Sequence, residues 1–399
     1  MQKPVESSDS ADEIELPDDS DPEILALSSS LISISLIASL LVAQRGWVLQ
    51  ERTYPRLPLF DSLTITAPIE PLLYSAMLIV LLLFNFSARK KLLVSIFGIA
   101  TAATIAFDTT RLQPWLYLLS IMLFLVALPA PSGKKSVGNV LDSLRICILG
   151  TYLFAGIQKL NISFCQTVVP SMMPKFVPPL PQDLALAIGI SAAVTEAALA
   201  ILLTCAPTSR IGAWLAIFFH AITLWMITHL GWNAVVWPWN ISMMLLVYLL
   251  FIRTRSQSAF GLLWPDSLQK ALAVIIFLLL PCLNFFGLWP NYLSAALYSG
   301  NVPVLRVLVD PADEERLPSA IRQAIDISDR QKPTLLAERW GIEELGIPSF
   351  PEVRTLEQLA KKLLESGKFS HSQIYIETFP RFFKGEKQRR EIFLSATQP

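Results

Sequence analysis

Charge, histidine and cysteine are all scarce in this chain. Of 399 residues only 16% are Asp, Glu, Lys or Arg, three are histidine and four are cysteine. The histidines (His220, His229, His371) show no metal-like spacing. The cysteines (Cys147, Cys165, Cys205, Cys282) lie in or beside apolar segments without a CxxC pair. Neither a zinc site nor a disulfide framework is expected from them, and small apolar packing is their plain reading. No serine or cysteine stands near a plausible base, no Gly-rich phosphate loop is present, and no repeat recurs at a solenoid period. Lys plus Arg (32) balance Asp plus Glu (32), so there is no basic excess of the kind a nucleic-acid partner calls for.

What the chain has instead is hydrocarbon, with 53% hydrophobic residues and a mean hydropathy of +0.50. A helix needs ~20 apolar residues to cross a hydrocarbon core of ~30 Å. On that criterion spans are expected near 24–43, 68–86, 92–107, 113–129, 141–163, 183–205, 210–230, 233–252 and 268–289. The expected fold is an all-α polytopic membrane helical bundle of about nine transmembrane helices, closed by a small C-terminal α+β extramembrane cap. The third and fourth runs are short, and a re-entrant pair is their alternative.

Residues 1–23 are acidic and free of aromatics, which predicts a disordered tail. The apolar run that follows lacks the basic flank of a secretory signal and reads as a retained span. Residues 24–289 then form the membrane domain and 290–399 the extramembrane one. Arg89, Lys90, Lys91, Lys134, Lys135, Arg210, Arg253 and Arg255 fall in alternate short connections, against Arg45, Arg52, Arg56, Arg111 and Lys175 in the others. The positive-inside rule places the N-terminus in the cytoplasm of a plasma or inner membrane and, with an odd span count, the C-terminal domain outside.

In that domain Val302–Val309, Ile374–Phe379 and Ile392–Ser395 have strand character, and Thr355–Leu364 has helical spacing. The linker Cys165–Asp183 carries Pro170, Pro174, Pro178, Pro179 and Pro181, which predict a stiff extended strap with Asp183 capping the next helix. Such a strap either serves as a lid or simply joins two helix ends.

A polar side chain deep in a bilayer costs a few kcal/mol unless paired, so each one in these spans needs a reason. Tyr152, Gly156 and Lys159 follow i, i+4, i+7 spacing and share one helix face. Glu196 sits in the small-residue run SAAVTEAALA, where helices can approach closely, and His220 is mid-span. Asn240 follows Trp237-Pro238-Trp239, and Gln113 opens the fourth span. Together these residues predict an outward-facing pocket with Glu196 and His220 beneath it.

Plainer alternatives stand beside that pocket. Lys159 could snorkel to head-groups, Glu196 and His220 could bond each other, and the tryptophans could form an interfacial belt. Asn240 could serve the backbone freed by Pro238. His229 and His371 read as solvated. The Asn-x-Ser triplets at Asn161 and Asn240 lie at or within spans, which discounts them as glycan acceptors.

The stretches Asp108–Phe124 (DTTRLQPWLYLLSIMLF), Tyr152–Phe164 (YLFAGIQKLNISF) and Ser209–His220 (SRIGAWLAIFFH), with Glu196 between them, resemble the membrane part of the vitamin K-dependent gamma-carboxylase family. Bacterial relatives in that family carry the horizontally transferred transmembrane (HTTM) domain. The likeness runs from about Leu25 to the LYSGN segment ending at Asn301. In that family the lysine of the Ala-Gly-x-x-Lys-Leu core is the base that deprotonates reduced vitamin K. The resemblance therefore implies Lys159 as base, a reduced quinone as the cofactor-like substrate, and Gln113, His220, Glu196, Tyr152, Trp237 and Asn240 around it.

The chain departs from the family in two places. Gln113 stands where the family has a histidine, and the long propeptide-gripping region is replaced by about 110 residues of other character. Carboxylation of protein glutamate loses support, while quinone-linked chemistry stays open. The enzyme class implied is a carboxylase-like lyase or a quinone-linked oxidoreductase. A non-catalytic module anchoring a redox or secreted peptide or protein partner in the lipid bilayer is the alternative. A transporter lacks its usual signs, inverted repeats and paired broken helices.

Overall fold

The computed structural model describes residues 21–49, 51–63, 69–129, 134–173, 178–231, 233–254, 258–327, 332–383 and 386–392. Of the disordered tail expected over residues 1–23, residues 1–20 lie outside them, as do Lys175, Arg255, Pro174 and the strand residues 393–395, whereas Asp21–Glu23 are helical.

The described chain is mostly helical. Six helices are long and apolar enough to cross a membrane: α1 Asp21–Val42, α3 Lys90–Phe107, α5 Lys134–Gln158, α6 Gln182–Thr204, α7 Ser209–Leu230 and α8 Ala234–Ile252. Three apolar helices are shorter: α2 Ile69–Phe84, α4 Pro114–Ala127 and α9 Leu268–Asn284. These correspond to the nine expected runs.

Local sequence fixes several of their ends. Asp21 and Glu23 in the first turn of α1 complement the positive end of its dipole. Pro114 opens α4, where its missing N–H costs nothing. Gly231 ends α7 in the left-handed region at φ 65°. In α9, Pro281 has no N–H to offer the Phe277 carbonyl, and the helix widens into a π turn over Ile275–Leu279 just before it.

Helix α5 is the central post. Within its span 83% of the residues are buried, against 22% in α7, so α7 lies at the periphery with an apolar outer face. At the crossing of α5 and α6 the backbones nearly touch, since a Cβ added at Gly156 would lie 2.4 Å from Ala197 N and 2.6 Å from the Ala193 carbonyl oxygen. The small-residue run of α6 is what permits this approach.

The linker differs from the extended strap expected of it. Phe164–Val168 forms a π turn and Val169–Met172 a short helical turn, with Pro170 in that helix's first turn. Proline excludes helix interiors and is at home in the first turn. Pro181, rather than Asp183, occupies the cap position of α6; Asp183 lies in its first turn.

The C-terminal region folds into a five-stranded antiparallel sheet ordered β2-β3-β1-β4-β5. Its strands are β1 Val304–Leu308, β2 Ile325–Asp326, β3 Thr334–Leu336, β4 Gln373–Thr378 and β5 Gln388–Glu391. Helices α10 Ala337–Leu345 and α11 Val353–Glu365 complete it. β1 and β4 pair along their length, from Val304 opposite Glu377 to Leu308 opposite Gln373. The last strand among the described residues ends at Glu391, just before Ile392, and the rest of the strand expected over Ile392–Ser395 lies outside those residues.

This cap is clamped to one end of the bundle. Glu344 of α10 accepts hydrogen bonds from Thr53 N, from Thr53 Oγ1 at 2.5 Å, from Tyr54 N at 3.0 Å and from Trp340 Nε1 at 2.8 Å. Lys362 Nζ donates to the Arg56 carbonyl at 2.8 Å, and Asn291 Nδ2 to that of Pro351 at 2.9 Å.

Candidate functional site

The face of α5 that carries Tyr152, Gly156 and Lys159 meets α6 and α7, as their common spacing requires. Lys159 stands just past the last residue of α5. Its Nζ lies 2.6 Å from Glu196 Oε2 and 3.3 Å from the Ala155 carbonyl oxygen. The two side chains are only 14% and 10% exposed. Lys159 therefore folds against α6 rather than snorkelling. Glu196 pairs with this lysine and not with His220.

Two turns along the same face, a second set of polar groups closes on itself. His220 Nε2 lies 2.8 Å from the Tyr152 hydroxyl, and His220 Nδ1 lies 2.8 Å from Asn240 Oδ1. Asn240 Nδ2 donates to the Val236 carbonyl at 2.8 Å. That last bond fixes the tautomer: with the amide N–H2 committed to a carbonyl, Oδ1 must accept, so Nδ1 carries the imidazole proton. Nε2 is then the acceptor for the Tyr152 O–H. Asn240 thus serves both the chain of side chains and the carbonyl near Pro238.

Two candidates stand elsewhere. Gln113 Nε2 donates to the carbonyls of Thr110 at 2.7 Å and Pro348 at 3.0 Å, so it joins the α3–α4 turn to the cap and leaves the expected pocket. The indole N–H groups of Trp237 and Trp239 are enclosed without a hydrogen-bond partner, where an interfacial belt would turn them to water. A cavity of about 20 Å³ lies between α4, α5, α8 and α9, lined in part by Tyr117, Thr151, Phe154 and Trp239. Its volume suits a single water. His229 stacks on Trp225 with ring centroids 5.6 Å apart, on the side of α7 away from His220.

The residue reading missed a polar lattice directly beyond Lys159. Gln158 Nε2 donates to Asn284 Oδ1 at 2.8 Å, and Asn301 Nδ2 donates to Gln158 Oε1 at 3.0 Å. Asn161 Nδ2 reaches the Ser299 carbonyl at 2.8 Å, while its Oδ1 accepts from Phe164 N at 2.9 Å. The signal was there in Asn284, a lone amide inside the last apolar run.

Also missed was an ionic knot at the opposite end of the bundle. Asp142 pairs with Arg145 at 2.5 Å, Arg145 Nε donates to the Leu250 carbonyl at 2.8 Å, and Lys270 Nζ lies 3.1 Å from Asp266. Its opposite charges balance, and it fastens α5 to α8 and α9. At the cap end, Arg52 pairs with Asp108, while Arg56 and Arg111 each reach Glu70 at 2.7 Å. Burial pushes the Asp108 carboxyl up, and Arg52, Arg111 and Thr110 outweigh it, holding it below the usual carboxylate range.

Among the described residues, no three His, Cys, Asp or Glu side chains gather as a metal ion would require. No family model, curated protein or solved structure matches this chain.

Proposed function

We propose that the nine apolar helices are membrane spans, with the N-terminus in the cytoplasm and the cap outside. We further propose that the protein is an enzyme acting on a reduced quinone or another amphiphile, with Lys159 as its base. The membrane reading is supported by the apolar exterior, where Ile201, Ile211, Trp214 and Phe218 are all exposed, a surface that a water-soluble fold rarely leaves uncovered. The orientation is supported by the charges. Arg89, Lys90, Lys91, Lys135, Arg210 and Arg253 fall in the connections away from the cap, against Arg45, Arg52, Arg56 and Arg111 at the cap end, and the more basic side is the cytoplasmic one.

The observation that carries the catalytic reading is the Lys159–Glu196 pair, held at 2.6 Å among apolar helices. An ammonium cannot act as a base until it gives up a proton, and Glu196 is the acceptor in contact with it. A substrate hydroxyl could then lose its proton to the Lys159 amine, leaving an oxyanion beside the ammonium. Tyr152, His220 and Asn240 shape the same wall, and Gln113 supports the cap. The resemblance to the gamma-carboxylase membrane part, with its Ala-Gly-x-x-Lys-Leu core, supports the same role for Lys159.

A second reading is favoured by the completeness of these bonds. The pair and the Tyr152–His220–Asn240 set satisfy each other, and the cap is fastened at many points, as a non-catalytic anchor for a redox or secreted partner would be. Lipid extraction of the purified protein followed by mass spectrometry separates the two. A stoichiometric quinone-like amphiphile is expected for the enzyme, and only bulk phospholipid for the anchor.

A further inference from the structure

We propose that the segment Arg381–Phe383, which follows β4, docks on the outer leaflet beside the last span through an apolar contact that sets the height of the cap on the membrane. The inference rests on reading the apolar helices as membrane spans. Phe285, just past the end of α9, stacks on Phe382 with ring centroids 5.7 Å apart and planes 14° apart. Arg381 donates to the Asn284 carbonyl and, at 2.8 Å, to Asn284 Oδ1, so a cation closes the carbonyl end of α9. These contacts fix the segment where the last helix leaves the bundle.

The surface so formed is apolar and uncovered. Phe286 is 76% exposed, Leu288 71%, Phe382 49% and Phe383 45%. Leu283 precedes Phe286 by three residues and Leu279 precedes Leu283 by four, so these exposed leucines carry the apolar surface onto the flank of α9, which faces lipid if that helix spans. Three phenylalanines and a leucine present on the order of a few hundred Å² of apolar area, a size that water-facing surfaces seldom keep. Continuity with the flank of α9 selects the bilayer as its occupant.

The described cations near this patch are engaged within the protein. Lys387 pairs with Glu377 at 2.6 Å, Arg389 lies 3.3 Å over the Tyr375 ring, and Arg390 pairs with Glu357. Among the described residues the cations of this hairpin therefore have partners, and the contact proposed with lipid is an apolar one.

Spin labels at Phe382→Cys and, separately, Phe383→Cys test this in full-length protein whose Cys205 and Cys282 are replaced by serine. The protein is placed in nanodiscs of phosphatidylcholine, with and without phosphatidylglycerol. His371→Cys on the exposed cap and Phe218→Cys on the outer face of α7 serve as references. An apolar group seated about 5–10 Å into the interface should raise the oxygen-to-nickel accessibility ratio at 382 and 383 about threefold or more above that at 371, equally in both lipids. A ratio equal to that at 371 while 218 reads lipid overturns the docking alone. Water-like readings at all positions overturn the membrane reading itself. Spin–spin broadening between labels would show a second copy on the patch, and a requirement for phosphatidylglycerol would show an electrostatic contact; either result overturns the proposal.

Discussion

Removing one partner of the Lys159–Glu196 pair should cost far more than removing both. In Glu196→Ala the ammonium keeps only the Ala155 carbonyl, 3.3 Å away. Breaking a buried pair costs about 3–5 kcal/mol, because a charge is left without compensation. The side chains retain 14% and 10% exposure, so the lower end applies. About 3 kcal/mol is roughly a hundredfold shift in the folding equilibrium. Replacing both groups by apolar side chains of similar size, Lys159→Met with Glu196→Leu, removes the desolvation cost together with the attraction and should be neutral or stabilising by ~1–4 kcal/mol. The assay is thermal unfolding in one detergent at one scan rate, read by size-exclusion of the surviving protein and compared as midpoints, since unfolding of such a protein is irreversible. The expected order is double variant at or above wild type, with both single variants well below. A Glu196→Ala protein as stable as wild type, or a double variant as damaged as the singles, refutes the reasoning.

Other outcomes follow from the same contacts. Glu344→Ala strands the Thr53 and Tyr54 amides, at about 1–3 kcal/mol for each group left unsatisfied, and leaves the Trp340 indole only the Thr53 hydroxyl at 3.3 Å, so limited proteolysis should release the cap while the bundle survives. Gly156→Leu forces a side chain into the Ala193 and Ala197 backbone and should part α5 from α6, lowering the unfolding midpoint more than Gly98→Leu, where a Cβ meets nothing within 4 Å. Burial pushes the Asp313 carboxyl up, but hydrogen bonds from Ser372, from the His371 and Ser372 amides and from Ser370 hold it below its usual range. Its folded pKa being depressed, its stabilisation is present above the unfolded value of ~3.9 and is lost as pH falls through the lower folded value. Asp313→Asn should flatten cap stability against pH in that acid window, and an unchanged slope would remove Asp313 from the account.

The helices were legible because lipid-length apolar runs have few competing explanations, and all nine runs recur as apolar helices. The shared face of Tyr152, Gly156 and Lys159 was legible from helical periodicity alone. Partner choice was not: the expected topology gathers Lys159, Glu196 and His220 about one pocket, but only packing decides that Glu196 takes the lysine and His220 takes Tyr152 and Asn240. Gln113 misled because position at a span end cannot separate a pocket amide from one that meets the Pro348 carbonyl more than two hundred residues later. The strap misled because proline, which breaks helix interiors, is at home in a helix's first turn, where Pro170 stands. Strands β2 and β3 are two and three residues long, too short for alternation to register.

The central claim is that the Lys159–Glu196 pair recognises an amphiphile, beyond any part it has in holding α5 to α6. The most direct test compares wild type with the Lys159→Met, Glu196→Leu protein, purified identically and matched for unfolding midpoint, by mass spectrometry of the lipid each retains. The account predicts a quinone-like species near one per wild-type chain and its loss from an intact double variant. Equal retention by both proteins would contradict it.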